Sequence, residues 1–262
     1  MHKWPLLGLL LLGLTLNAAA SDTDTSLPLY YIEKPPYYFT HAQQPSGFLL
    51  ARSLLILQTA GLSPKPRSLP PPRILHALER KQRPFCSVGW FKTPEREALA
   101  WFSQPIHHDA PMWLLVRQAE ANRLMGFASF RGLLQAPYRI GLVDGFSYGV
   151  ELDQLLQKSK IPNDHTAKSV QNSIQRLLAK RVDVIVADRL ETSYLLEELK
   201  IPSSQLLAVR FADIPSGNAR YLMCSKNLPE AQQQAINQAI NDLAQQRLIS
   251  LDDTPNEHSA TP

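Results

Sequence analysis

Arg96 sits in the stretch GWFKTPEREALAWFSQPI, residues 89–106, with four aromatic residues around one Lys-Thr-Pro-Glu-Arg turn. A cation beside so much apolar surface is costly unless something pairs with it. A guanidinium is a planar fork of donors that grips a carboxylate through two parallel bonds, which Lys cannot copy. Its partner is either a carboxylate of the protein, with Glu95 adjacent, or one that arrives from solvent. Ser147 opens the helical pattern SYGVELDQLLQKS. The free N–H groups and dipole of a helix start suit an anion, and an ordinary N-cap would use the same serine. Asp188 follows the apolar run VDVIVA and precedes RLETSYLL. It either caps that helix or offers a carboxylate to a ligand. Asp183 begins the same run and reads as a structural turn residue. His107, His108 and Asp109 are metal-ligand types, but neighbouring side chains rarely point at one ion. A solvated hinge is the better reading of them, and no metal is expected. Trp90, Trp101 and Trp113 read as core or cleft wall.

These residues need elements to hold them. LPLYYIE reads as a first strand, and KPPYYF as a turn, because two prolines fix φ and remove donors. SGFLLARSLLILQTAGL is a helix ending at Gly61. SPKPRSLPPP reads as an extended loop, RILHALERKQ as a short helix and PFCSVGW as a second strand. TPEREALAW opens a helix with Thr93 as N-cap and Pro94 at its first position. APMWLLVRQ is a strand, EANRLMGFASFRGLLQ a helix and YRIGLVDG a strand. Ser147 then caps a helix. SVQNSIQRLLAKR is amphipathic, with Val170, Ile174, Leu177 and Leu178 inward. VDVIVAD is a buried strand, SYLLEELK a helix, ARYLMCS a strand and LPEAQQQAINQAINDLAQQRLI the last helix. Alternation of this kind predicts α/β layers with mostly parallel sheets. There is no Gly-rich phosphate loop. LVDGFSYGVE lacks the third Gly and the downstream acid of a dinucleotide site.

Composition narrows the class. Residues 1–20, MHKWPLLGLLLLGLTLNAAA, have a basic start, an apolar run and an Ala triplet before Ser21. That layout predicts a secretory signal peptide cleaved near Ala20-Ser21. The run is well short of the roughly 20 residues of a spanning helix, and no later segment is apolar enough to span. The formal charge of the whole chain is only +4, with Lys and Arg scattered. No nucleic-acid partner is expected from that. Export makes the two cysteines, Cys86 and Cys224, candidates for a disulfide; the other reading is two buried thiols. The segment SLDDTPNEHSATP is polar, and residues 252–262 are expected to be a disordered tail.

Taken in order, PPYYF…SGF, RILHAL, GWFKTPERE…FSQPI, IGLVDGFSYG and RVDVIVAD resemble the family 3 extracellular solute-binding proteins. These are the periplasmic amino-acid receptors of ABC transporters, and the KTPER block is the specific part of the likeness. The resemblance covers residues 27–250 and is nearest to a subgroup bearing that motif. It implies a two-lobed α/β fold of the type II periplasmic-binding class, with two hinge crossovers. Lobe one would be residues 21–109 plus 215–251, and lobe two residues 110–214. That topology sets the Cys224 strand beside the Cys86 strand and favours the bridge.

The resemblance also assigns a site. Arg96 matches the arginine that grips a ligand α-carboxylate, helped by the turn at Ser147. Asp188 matches the acid that takes the α-ammonium. Tyr31, Lys34, Tyr37 and Tyr38 surround the first turn, where the family packs an aromatic ring against the ligand; Lys34 stands at that ring's position. Gly89 and Phe91 end the second strand. Phe91 replaces a small hydroxyl residue, which makes the pocket more apolar and puts a standard α-amino acid in question. The implied function is a periplasmic receptor that captures a small polar ligand, an amino acid or derivative, by lobe closure for ABC transport. No cofactor and no catalytic residue is expected. The partners would be that ligand and an inner-membrane permease or sensor, and the chain would be a monomer. A sensory or accessory module is the alternative. A dehydratase-like enzyme in the same cleft comes last, because no paired carboxylates or His-acid pair stand out near the motifs.

Overall fold

The computed structural model describes residues 26–80 and 83–251. The expected leader at residues 1–20 and the tail at 252–262 lie outside the described residues. The chain begins with strand β1 (Ser26–Tyr31), whose residues alternate between buried and half-buried. The double-proline turn follows, closed by bonds from Lys34 N–H to Tyr38 O and from Tyr37 N–H to Lys34 O. A small hairpin, β2 (Phe39–His41) and β3 (Gln44–Ser46), leads into helix α1 (Phe48–Thr59). Gly61, at φ 76°, then turns the chain.

The Pro-rich stretch expected as a loop is a strand, β4 (Ser63–Ser68), pairing in parallel with β1 over its whole length. Its place explains the discrepancy. It lies at the sheet edge, where Pro64 and Pro66 sacrifice no ladder bond that a second neighbour would need. Helix α2 (Pro71–Glu79), β5 (Cys86–Trp90), α3 (Pro94–Leu99) and β6 (Ala100–His108) follow. The chain then crosses to a second sheet through β7 (Trp113–Arg117).

The next stretch, expected as one helix, is two: α4 (Ala121–Met125) and α5 (Phe130–Leu134). Ser129 restarts the helix as an N-cap, accepting from Gly132 N–H at 3.0 Å, while Asp213 accepts from Phe130 and Arg131. After β8 (Ile140–Val143) come α6 (Val150–Leu156), β9 (Asp164–Ala167), α7 (Val170–Leu178) and β10 (Val184–Ala187). Helix α8 (Arg189–Glu198) and β11 (Leu206–Val209) complete the second unit. Residues 210–218 cross back to β12 (Ala219–Ser225) and α9 (Glu230–Gln245).

The result is two five-stranded sheets, ordered β4-β1-β5-β12-β6 and β11-β7-β10-β8-β9. They are not mostly parallel. In each sheet two neighbouring pairs are parallel and two antiparallel. The antiparallel pairs all involve a strand that enters or leaves a crossover: β6, β7, β11 and β12 run against their neighbours because the chain changes lobe there. Apolar faces of α1 and α9 bury Leu49, Ile56, Ile236 and Ile240 against the first sheet. The second sheet is covered on both faces, by Leu152 and Leu155 of α6 on one side and Ile174 and Leu177 of α7 on the other. The amphipathic pattern of α7 holds at Val170, Ile174 and Leu177, whereas Leu178 is only partly buried.

Cys86 of β5 and Cys224 of β12 face each other in antiparallel register and form a disulfide. The bridge joins residues separated by 138 positions. Closing so long a loop removes much freedom from the unfolded chain. The Cys86→Ser, Cys224→Ser double variant is expected to lose about 2–5 kcal/mol of unfolding free energy in urea titration.

Candidate functional site

The two crossovers meet at a buried ion pair. Asp109 N–H donates to Asn218 O at 2.9 Å, so the outgoing and returning segments touch. Gly217 permits this: a Cβ there would lie 1.6 Å from the Asp109 carbonyl oxygen. Arg220, near the start of β12, donates from Nε to Asp109 Oδ1 at 2.7 Å, and its Nη2 lies 2.6 Å from Oδ2. Its Nη1 donates to Gly89 O at 2.8 Å and to Tyr38 OH at 3.1 Å. The guanidinium also lies over the rings of Phe91 and Tyr37, at 4.5 and 4.9 Å. Burial alone would lower its pKa; Asp109 beside it outweighs that and holds the pKa well above the ordinary value. The expected solvated hinge is therefore a correction. His107 and Asp109 are buried, with Arg220 and Arg52 reaching into the same junction.

Arg96 stands on α3, on the first-lobe wall of the cleft. Thr93 caps this helix as its sequence predicts, accepting from Arg96 N–H at 3.3 Å. The guanidinium lies 4.8 Å over the Trp90 ring and donates from Nη1 to Phe91 O at 3.1 Å. Among the described residues no carboxylate forms an ion pair with it. Glu95, the candidate protein partner, is exposed and engages Thr93 instead. Burial lowers the Arg96 pKa from its ordinary value.

The opposite wall is acidic. Asp188 is the N-cap of α8 and also lines the cleft, so it meets both readings of its position. Its Oδ1 accepts from Glu191 N–H at 2.8 Å and its Oδ2 from Tyr37 OH at 2.8 Å. Glu191, one turn on, forms an ion pair with Lys34 across the cleft. Both residues are buried, and Lys34 also lies 5.0 Å over the Tyr37 ring. Burial would lower the Lys34 pKa, but Glu191 and Asp188 more than offset it and raise it. Burial would raise Asp188, but Lys34, the Glu191 N–H and Arg220 hold it below the usual carboxylate range.

The cleft thus gathers Arg96, Ser147, Asp188, Lys34, Gly89 and Phe91. Trp90, Met112, Phe146, Val170 and Val186 give it apolar walls. Tyr31 is not among the lining residues; it is buried in the first-lobe core with its hydroxyl 3.0 Å from Thr40 Oγ1. Tyr37 is not among the lining residues; it lies behind the wall and touches it through its hydroxyl on Asp188 and its ring under Lys34 and Arg220. Ser147 is not the helix cap either. Gly149, at φ 97°, takes that place, because Asn218 packs where its Cβ would be. Ser147 instead donates to Asp153 Oδ2 at 2.6 Å, and Asp153 also accepts from Tyr148 N–H at 2.9 Å. Two charged residues of the site escaped the sequence reading. Glu191 stands three positions after the Asp188 cap, where a capping-box acid is expected, and so supplies the second carboxylate that seemed missing. Arg220 is a lone cation in the apolar strand ARYLMCS, the same anomaly that singled out Arg96.

The sequence matches the bacterial extracellular solute-binding proteins, family 3, over residues 30–250, and the chain belongs to that family. No curated protein matches it. Among solved structures, the arginine-, lysine-, histidine-binding protein ArtJ of Geobacillus stearothermophilus is similar, with 16% identity, a TM-score of 0.67, and coverage of 84% of this chain and 90% of that one. A substrate-binding protein of an ABC uptake transporter from Streptococcus pneumoniae, with bound histidine, gives 14% identity and a TM-score of 0.66, covering 85% and 88%. The ancestral amino acid-binding protein AncCDT-1, a precursor of cyclohexadienyl dehydratase, gives 19% identity and a TM-score of 0.65, covering 84% and 90%. At these identities the likeness is one of fold: two α/β lobes around a cleft.

The two arginines should differ sharply in what they hold together. Arg220→Met strands Asp109 as a buried charge and is expected to cost about 3–5 kcal/mol of stability. Arg96→Met breaks no ion pair and loses its contact with Trp90 and its bond to Phe91 O, so no more than about 2 kcal/mol is expected. Urea unfolding of both variants checks the contrast.

Proposed function

We propose that this family member is a periplasmic receptor that captures a small carboxylate-bearing solute, an amino acid or a derivative, by closing its two lobes. One observation carries the reading: Arg96 offers the cleft a guanidinium that forms no ion pair with a carboxylate among the described residues, although the charge of Asp153 is felt there. A preorganised fork of donors on α3 suits one end of such a solute. Lys34, Gly89 and Phe91 would meet the solute from the first lobe, and Ser147 and Asp188 from the second. We assign residues 110–214 to the second lobe and the flanking segments to the first. Delivery to an ABC permease is the step we add to ligand binding. It is supported by the fold shared with a substrate-binding protein of an uptake transporter. A dehydratase-like role would need a proton donor free to reach the solute. Glu191 is committed to Lys34, and Asp188 to Tyr37 and a helix N–H.

A thermal-shift screen of amino acids, short peptides and organic acids tests the reading, since a solute bound only by the native state raises the melting temperature. The best binder should then lose affinity in Arg96→Ala by a factor of about thirty or more, the equivalent of about 2 kcal/mol. Equal affinity of Arg96→Ala and the wild type in calorimetry would overturn the assignment.

A further inference from the structure

Lys34 brings an ammonium group of the chain itself to the acids of the cleft. It projects from the turn after β1, in the first lobe, and pairs with Glu191 on α8 of the second. Asp188 lies in the same cluster, its two oxygens held at 2.8 Å by the Glu191 N–H and at 2.8 Å by Tyr37 OH. The side chains of Lys34 and Glu191 are 7% and 4% exposed, so water does little to replace either partner. A second ammonium entering here would have to evict Lys34, and a buried charge stripped of its partner is costly. Arg220 is occupied by Asp109. Of the cations lining the cleft, Arg96 alone has no ion-pair partner among the described residues. That remaining charge lies over the Trp90 ring, and Phe91, Met112, Phe146 and Val186 give the same cleft its apolar part.

We propose that Lys34 is a specificity-determining residue, a tethered stand-in for a ligand ammonium. The cleft then takes a monocarboxylate with an apolar body and no amino group, and rejects the α-amino acid of the same skeleton. The proposal rests on Arg96 as the carboxylate site and narrows the solute class within that reading. The chemistry is that of a fork of donors at one end and apolar side chains for the body of the solute. An α-amino acid would bring a cation to a cluster in which Glu191 is already paired with Lys34, and Asp188 already feels the Lys34 charge and accepts from Tyr37 OH and a helix N–H, which is discrimination by a poorly paired charge.

Calorimetry on the full chain with two matched pairs tests this: 3-phenylpropanoate against L-phenylalanine, and 4-methylpentanoate against L-leucine. The wild type is expected to bind the amino-free member of at least one pair about tenfold or more tighter. The Lys34→Met, Glu191→Met double variant replaces the ion pair with apolar volume and leaves Asp188 in place. With a native circular-dichroism spectrum, it should move the preference toward the amino acid by about tenfold or more. Equal affinity of the wild type for both members, a preference for the amino acid, or no binding of any of the four probes overturns the proposal. So does a folded double variant that keeps the wild-type preference. The receptor reading is judged separately. If an amino acid binds the wild type and loses affinity in Arg96→Ala, the receptor reading stands and the role of Lys34 falls.

Discussion

The Arg220–Asp109 pair is the interaction on which the arrangement of the molecule depends. A guanidinium and a carboxylate that are both cut off from water have to meet, or one of them is stranded at a cost of several kcal/mol. Here the meeting fixes four segments at once. Arg220 comes from β12 and Asp109 from the first crossover, while Gly89 O ends β5 and Tyr38 belongs to the first turn. A buried ion pair is no large source of stability compared with a well-packed apolar replacement. Its value lies in direction: one fork of donors can satisfy all these acceptors in one geometry only. Because both crossovers pass beside it, the pair lies at the root of the cleft.

A second set of contacts spans the cleft itself. Lys34 and Tyr37 of the first lobe meet Glu191 and Asp188 of the second. Separating the lobes breaks both contacts and exposes two acids and a lysine to water. Each such charge regains hydration on opening, which offsets part of the lost pairing. In the receptor we propose, the balance between open and closed forms would be set by a small difference between large terms.

Much of this was legible in the residues. The Thr93 cap, Pro94 and the acidic first turn of α3 are local chemistry, and local chemistry survives folding. The apolar runs of β5 and β10 announce buried strands for the same reason. What stayed hidden depends on partners far along the chain. Pro64 and Pro66 look like loop residues until β4 is known to be an edge. The strand β6 pairs with β12 through register shifts near Tyr221, which blur the alternation that would have marked it. Ser147 loses its expected cap role to Gly149, against which Asn218 packs, and Asn218 bonds to Tyr148 O across 70 positions of chain. Glu191 and Arg220 passed without notice, since the residues that pair with them are 157 and 111 positions away. The Cys86–Cys224 bridge lay between: the residues were plain, but their adjacency needed the topology.

The strand order of the first sheet governs how the protein can be made. Strand β12 lies between β5 and β6, yet it is the last strand of the described chain. A nascent chain that has emerged through β11 already holds every strand of the second sheet. The first sheet at that stage lacks its fourth strand, and β5 and β6 present unpaired edges and an unbridged Cys86. Exposed edges of this kind invite pairing with other chains. The half of the protein that is synthesised first is thus completed last, and it needs shelter for as long as the other half takes to appear.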